Sequence, residues 1–192
     1  MKFLNSISLC LILFFMASMS FAQSTRSQLR SSSGKSGGGL FDFAIYYGQS
    51  EGSSEPNNTY QSKSNESYYD MKLGYVFSYG LYIGAEYSTR NSGFVNGSTT
   101  GNAAAAGLGY FFTNGLQIRA FSRFNESFND FRKGSGYQVD LGYAESFATN
   151  FFLGLMLSHR STTFTSRDSD PLLTDYTFNS TYPMLTIGFL VN

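Results

Sequence analysis

Cysteine is nearly absent from this chain: one residue in 192, with no tryptophan, three prolines and a single histidine. That one cysteine, Cys10, lies inside an N-terminal apolar run and follows Ile7-Ser8-Leu9, which does not suit a lipidation site. Beyond that run no disulfide and no cysteine-based metal centre can hold the protein together. Charge is sparse and balanced, 13 Lys+Arg against 13 Asp+Glu, so a polyanion-binding bias is excluded. Gly-rich phosphate loops, paired metal ligands and basic nucleic-acid patches are also missing. No cofactor, no metal and no nucleic-acid partner are therefore expected. After residue 22 no apolar stretch approaches the roughly 20 residues of a spanning helix.

What is present is aromatic and exported in character. Phe 20 and Tyr 14 are high for this length. Lys2, the apolar run Phe3 to Met16 and the small residues Ala17 to Ala22 form a secretory signal, with cleavage expected after Ala22. Residues 23–39 are rich in Ser and Gly, carry Arg26, Arg30 and Lys35, and show no periodicity. They read as a disordered periplasmic leader. Residues 40–192 form one domain.

That domain contains Leu-Gly-Tyr three times, at Leu73-Gly74-Tyr75, Leu108-Gly109-Tyr110 and Leu141-Gly142-Tyr143, with an echo at Ile187-Gly188-Phe189. Each full copy precedes a short break and a second alternating run that starts at Leu81, Leu116 or Phe151. Eight segments alternate with period two: 40–48, 68–77, 81–90, 102–111, 116–124, 137–144, 151–161 and 181–191. Short connections (78–80, 112–115, 145–150) alternate with long polar ones (49–67, 91–101, 125–136, 162–180). The expected fold is an all-β, eight-stranded antiparallel up-and-down transmembrane β-barrel, with tight turns at one end and long loops at the other.

The two faces of the segments differ in charge. One parity carries Phe, Leu, Ile, Met, Ala, Tyr and Val with no Asp, Glu, Lys or Arg. The other carries Asp42, Asp70, Lys72, Glu86, Arg119, Arg123, Asp140 and Arg160, together with most of the strand glycines. Glycine is a poor strand residue, and a narrow lumen is where it makes room for long neighbours. Tyr75, Tyr110, Tyr143 and Phe189 fall on the apolar face near the short turns, as in an interfacial aromatic girdle. These features put the charged face inside and the apolar face against lipid.

This pattern resembles the small eight-stranded outer-membrane barrels of the OmpA transmembrane-domain and OmpX kind, over residues 40–192. The resemblance implies a location in a bacterial (Gram-negative) outer membrane. Its implied partners are outer-membrane lipid and lipopolysaccharide, the barrel-assembly machinery, and an extracellular ligand reached through the long loops. Two departures stand out. The chain ends Phe189-Leu190-Val191-Asn192 without a terminal aromatic, and Pro183 falls in the last segment, where a bulge or a late strand start is expected.

Three functions follow as expectations. The first is a non-enzymatic envelope protein, structural or surface-interacting, whose lumen is plugged by its ion network. A symmetric turn at Tyr79 sets Lys72 opposite Glu86, with Arg119 and Arg123 opposite Gly107, Ala105 and Ala103. Asp42, Asp70 and Asp140 are then available to the arginines. The second is a narrow porin-like channel using the same charges. The third is a hydrolase. His159-Arg160-Ser161 resembles the His-x-Ser pair of outer-membrane lipid A deacylases, which implies His159 as base, Ser161 as nucleophile and Asp168, Asp170 or Asp175 as orienter. Here Thr162 replaces that family's Asn after the serine. Glu51, Glu55, Glu66 and the loop aspartates otherwise read as solvated acids.

Overall fold

The computed structural model describes residues 37–52, 62–94, 97–148, 150–168 and 176–191. The signal peptide, most of the leader, Glu55, Asp170 and Asp175 lie outside these. The chain forms β1 (Gly38–Gly52), β2 (Ser62–Val76), β3 (Leu81–Phe94), β4 (Gly97–Phe111) and β5 (Leu116–Phe128). It continues with β6 (Phe131–Ser146), β7 (Phe151–Phe164), β8 (Ser166–Arg167) and β9 (Tyr176–Val191). The two residues of β8 pair with Phe131 and Arg132 at the start of β6. The other eight strands pair antiparallel in chain order, and β9 returns to β1, from Gly39↔Val191 to Ile45↔Leu185. The sheet is thereby closed into an eight-stranded barrel.

The tight turns explain the register. Phe77 donates its N–H to the Leu81 carbonyl at 2.7 Å, and Gly80 turns the chain at φ 95°. Gly115 does the same at φ 90°. A side chain is costly at such angles, which is why glycine closes both turns. The first turn pairs Val76 with Tyr82, Gly74 with Gly84 and Lys72 with Glu86. A Cβ on Gly74 or Gly84 would run into the Tyr82 ring, so both glycines make the space that this ring fills inside the barrel.

Side chains alternate inward and outward on every strand. On β7 the alternation is unbroken from Phe151 to Arg160. Outward, Phe41, Leu73, Ile83, Leu108, Ile118, Leu141, Leu155 and Ile187 are exposed. Further from the short turns the outward residues become polar at one level, beyond Tyr47, Tyr69, Tyr87, Phe124 and Tyr137. Ser67, Thr89, Asn102 and Ser135 continue those faces.

Three expectations need correction. The eight barrel strands hold 13 to 16 residues and run several residues into segments expected to be loops. β1 also begins at Gly38, inside the expected leader. Beyond the apolar band both faces are polar, as in Gly97-Ser98-Thr99-Thr100, so the ladder continues where the hydrophobic alternation has stopped. Arg119 faces Gly109, not Gly107, because the Phe112–Gly115 turn sets Phe111 opposite Gln117. Arg123 does face Ala105, while a register shift between Asn102 and Ala104 leaves Ala103 out of the pairing. Finally, Pro183 makes neither a bulge nor a late start. β9 begins at Tyr176 and pairs in unbroken register with β7 past Pro183, which faces Leu157.

Candidate functional site

The lumen is built in three levels. Nearest the short turns, Leu40, Val76, Tyr82, Phe121 and Phe152 pack together with Phe111 and Leu190. This apolar layer has a cavity of about 190 Å³ on its outer side, reached past Tyr79, Phe112 and Phe151. Tyr82 packs on Phe111 with ring centroids 5.9 Å apart, and on Phe121 at 6.3 Å.

Above it lies the ionic level. Four acids, Asp42, Asp70, Glu86 and Asp140, meet four bases, Lys72, Arg119, Arg123 and Arg160, and every one of these residues is at most 3% exposed. The Lys72 ammonium sits between three carboxylates: Glu86 at 3.2 Å, Asp70 at 3.3 Å and Asp140 at 3.4 Å. Arg119 donates to Asp42 at 2.6 Å, and Thr186 donates to the other oxygen of the same carboxylate. Arg160 pairs with Asp70 across the barrel. Arg123 bonds Glu86 at 3.0 Å and Ser88 at 2.9 Å. Gln138 links the acids by donating to Glu86 at 2.7 Å and Asp140 at 2.9 Å. Charges of opposite sign thus alternate through one connected network, the arrangement a buried ion cluster needs.

The third level is aromatic. Tyr68 and Tyr182 share a hydrogen bond of 2.7 Å, and the Tyr46 ring packs tilted against that of Tyr182 with centroids 5.0 Å apart. Arg90 pairs with Glu66 at 2.9 Å while its guanidinium lies 3.9 Å from the Phe128 ring centre and 4.5 Å from that of Phe178. These rings come from β5 and β9, so Arg90 on β3 ties together strands two and three places away around the barrel. Cation–π contacts of this kind gain strength as they are desolvated.

Sequence parity located the eight charges of the ionic level but passed over Gln138, Thr186 and Ser88, which share that parity and bond to them, and Glu126, which lies past a register shift and pairs with Arg123 at 3.0 Å. Glu66 was read as a solvated loop acid. It is a β2 residue held by Arg90, and the signal missed was the continuation of the alternating parity below Tyr68.

The other candidates lie on the outer wall. Tyr75 and Tyr110 are exposed, and Tyr143 and Phe189 are half-buried. Tyr75 meets Phe77 at 5.1 Å, Tyr110 meets Phe112 at 4.9 Å and Phe151 meets Phe189 at 4.7 Å, giving a near-continuous aromatic rim beside the turns. His159 is exposed at the level where the outer wall turns polar. Its Nδ1 lies 2.9 Å from Thr181 Oγ1, and its ring is 6.2 Å from that of Tyr137. Ser161 stands two residues along on the same face of β7, opposite Tyr137 on β6 and Asn179 on β9. Asp168 pairs instead with Arg132 at 2.7 Å.

Taken together, these contacts define a small closed antiparallel β-barrel with a lumen of paired side chains and an apolar outer wall. No protein-family model matches the chain, and no curated protein does.

Proposed function

We propose that this chain is an exported outer-membrane barrel of the small eight-stranded kind, serving as a non-enzymatic envelope protein with a structural and surface-interaction role. The observation that carries this reading is the inside-out distribution of polarity. Ion pairs fill the lumen, while large apolar side chains stand exposed around the whole outer wall. A water-soluble monomer rarely exposes so large a contiguous apolar patch. From Tyr69 on β2 to Phe77 just past its end, the outward stripe covers about 20 Å of height at a strand tilt near 40°. That is close to the roughly 25 Å apolar band of such barrels. Tyr69, Tyr87 and Tyr137 mark its upper limit, and Tyr75, Tyr110, Tyr143 and Phe189 its lower one, where amphipathic rings suit a lipid–water interface.

Three stacked levels of packed side chains support a plug over a pore. Single-channel recording tests this. Wild-type protein in planar bilayers is expected to be electrically silent, and Arg119→Ala/Arg123→Ala is expected to conduct. An open wild-type pore would replace the structural reading with that of a solute channel.

A further inference from the structure

The cavity beside the apolar layer has walls of one chemical kind. They hold six rings, those of Tyr79, Tyr110, Phe111, Phe112, Phe151 and Phe152, and among the described residues no Asp, Glu, Lys, Arg or His. The Ser146 hydroxyl, also on the wall, is taken up by the carbonyls of Ala148 at 2.7 Å and Phe151 at 3.2 Å. Such walls suit an uncharged ring and offer nothing to a charged guest. An apolar cavity of about 150 Å³ is enough for benzene, so one of about 190 Å³ takes one or two fused rings.

One polar group at this level is unmatched. Gln117 is 1% exposed, and neither the oxygen nor the nitrogen of its amide has a hydrogen-bond partner among the described residues. Its place follows from the register. Gln117 faces Phe111 on β4 and Gly142 on β6, two residues after Gly115. Phe111 and Gly115 both line the cavity, as does Ala144, two residues after Gly142. Gly142 leaves its own space to Gln117, whose Nε2 would lie only 3.1 Å from a Cβ there. A buried amide left unpaired is costly. Mostly apolar pockets with one or two placed polar groups are how proteins orient small molecules. The residues between the expected signal and β1 offer no better match. Their one large apolar side chain, Leu29, suits neither the rings nor the amide.

We propose that this cavity binds a small neutral aromatic molecule with one hydrogen-bonding group, of the phenol or indole class. The ring packs among Phe111, Phe152 and their aromatic neighbours, and the polar group meets the Gln117 amide. Entry is from the short-turn end, past Tyr79, Phe112 and Phe151. The ionic level beyond the apolar layer closes the other way, so the molecule is held and not passed through. This role goes beyond the structural one. It rests on the closed barrel alone, so its failure would leave the outer-membrane reading standing.

The test uses protein (residues 23–192) folded in micelles, with indole as the probe. The chain contains no tryptophan, so indole emission excited beyond tyrosine absorption reports on the probe alone. Micelles without protein give the baseline. Saturable binding above that baseline is expected, with a shift of the Gln117 side-chain amide resonances in NMR spectra. Indene has nearly the same shape and no N–H. Read by its displacement of indole, it should bind at least tenfold more weakly, because a site built for a hydrogen bond rejects an analogue lacking it. Gln117→Leu should abolish that preference while circular dichroism shows the barrel intact. Ala144→Leu, which fills the cavity, should weaken both molecules at least tenfold. Indole bound no better than by empty micelles would overturn the proposal, as would equal affinity for indole and indene in the wild type. Binding that emerges only after residues 23–36 are removed would assign the cavity to that segment and overturn it too.

Discussion

Replacing Lys72 with methionine removes the cation around which Asp70, Glu86 and Asp140 are arranged, while keeping most of the side-chain volume. Asp70 would retain Arg160, and Glu86 would retain Arg123 and Gln138. Asp140 would be left with Gln138 and the Arg119 Nε, 4.0 Å away. The four acids and three remaining bases of the ionic level would then be out of balance by one. Breaking a buried pair on one side costs about 3–5 kcal/mol, and Lys72→Met is expected to lose that much in urea unfolding from lipid vesicles. Adding Glu86→Gln restores the balance of three acids and three bases and keeps an acceptor for Arg123. The double variant should therefore be more stable than the sum of the single losses by about 1–3 kcal/mol, as for residues in one network. A loss under about 1 kcal/mol for Lys72→Met, with strict additivity, would refute the reasoning: screened, hydrated charges behave that way, and the lumen would have to be wet.

Leu141→Arg places a charge in the middle of the outward band. It should cost about 2–4 kcal/mol of stability in bilayers if that wall faces hydrocarbon, and next to nothing if it faces water. Overexpression of wild-type protein should leave the acyl chains of lipid A unchanged by mass spectrometry, and His159→Ala should behave identically. Loss of an acyl chain that depends on His159 would establish the hydrolase instead.

Strand number, order and the register across the first short turn were legible because the Leu-Gly-Tyr units place glycine and aromatic at a fixed offset from each turn, whereas the four-residue Phe112–Gly115 turn shifted the next register by two. The opposition of Lys72 and Glu86 needs nothing further than the turn at Tyr79. The far ends of the strands were not legible. In stretches such as Ser98-Thr99-Thr100 neither face is apolar, so alternation carries no signal although the backbone ladder persists. Pro183 was recognised as an anomaly, but a sequence does not say which neighbour its missing donor would have faced. The same limit applies to Arg90. Its partners Phe128 and Phe178 lie two and three strands away, and only the curling and closure of the sheet bring them within reach.

The account depends on an oily exterior and a salt-like interior. It is tested most directly by electrophoretic mobility, with and without boiling, of protein (residues 23–192) refolded with lipid vesicles and in plain buffer. A fast-migrating unboiled form that appears only with vesicles, and converts on boiling to the mobility of the denatured chain, is the expected result. A compact monomer that forms in buffer alone and remains in solution would contradict it.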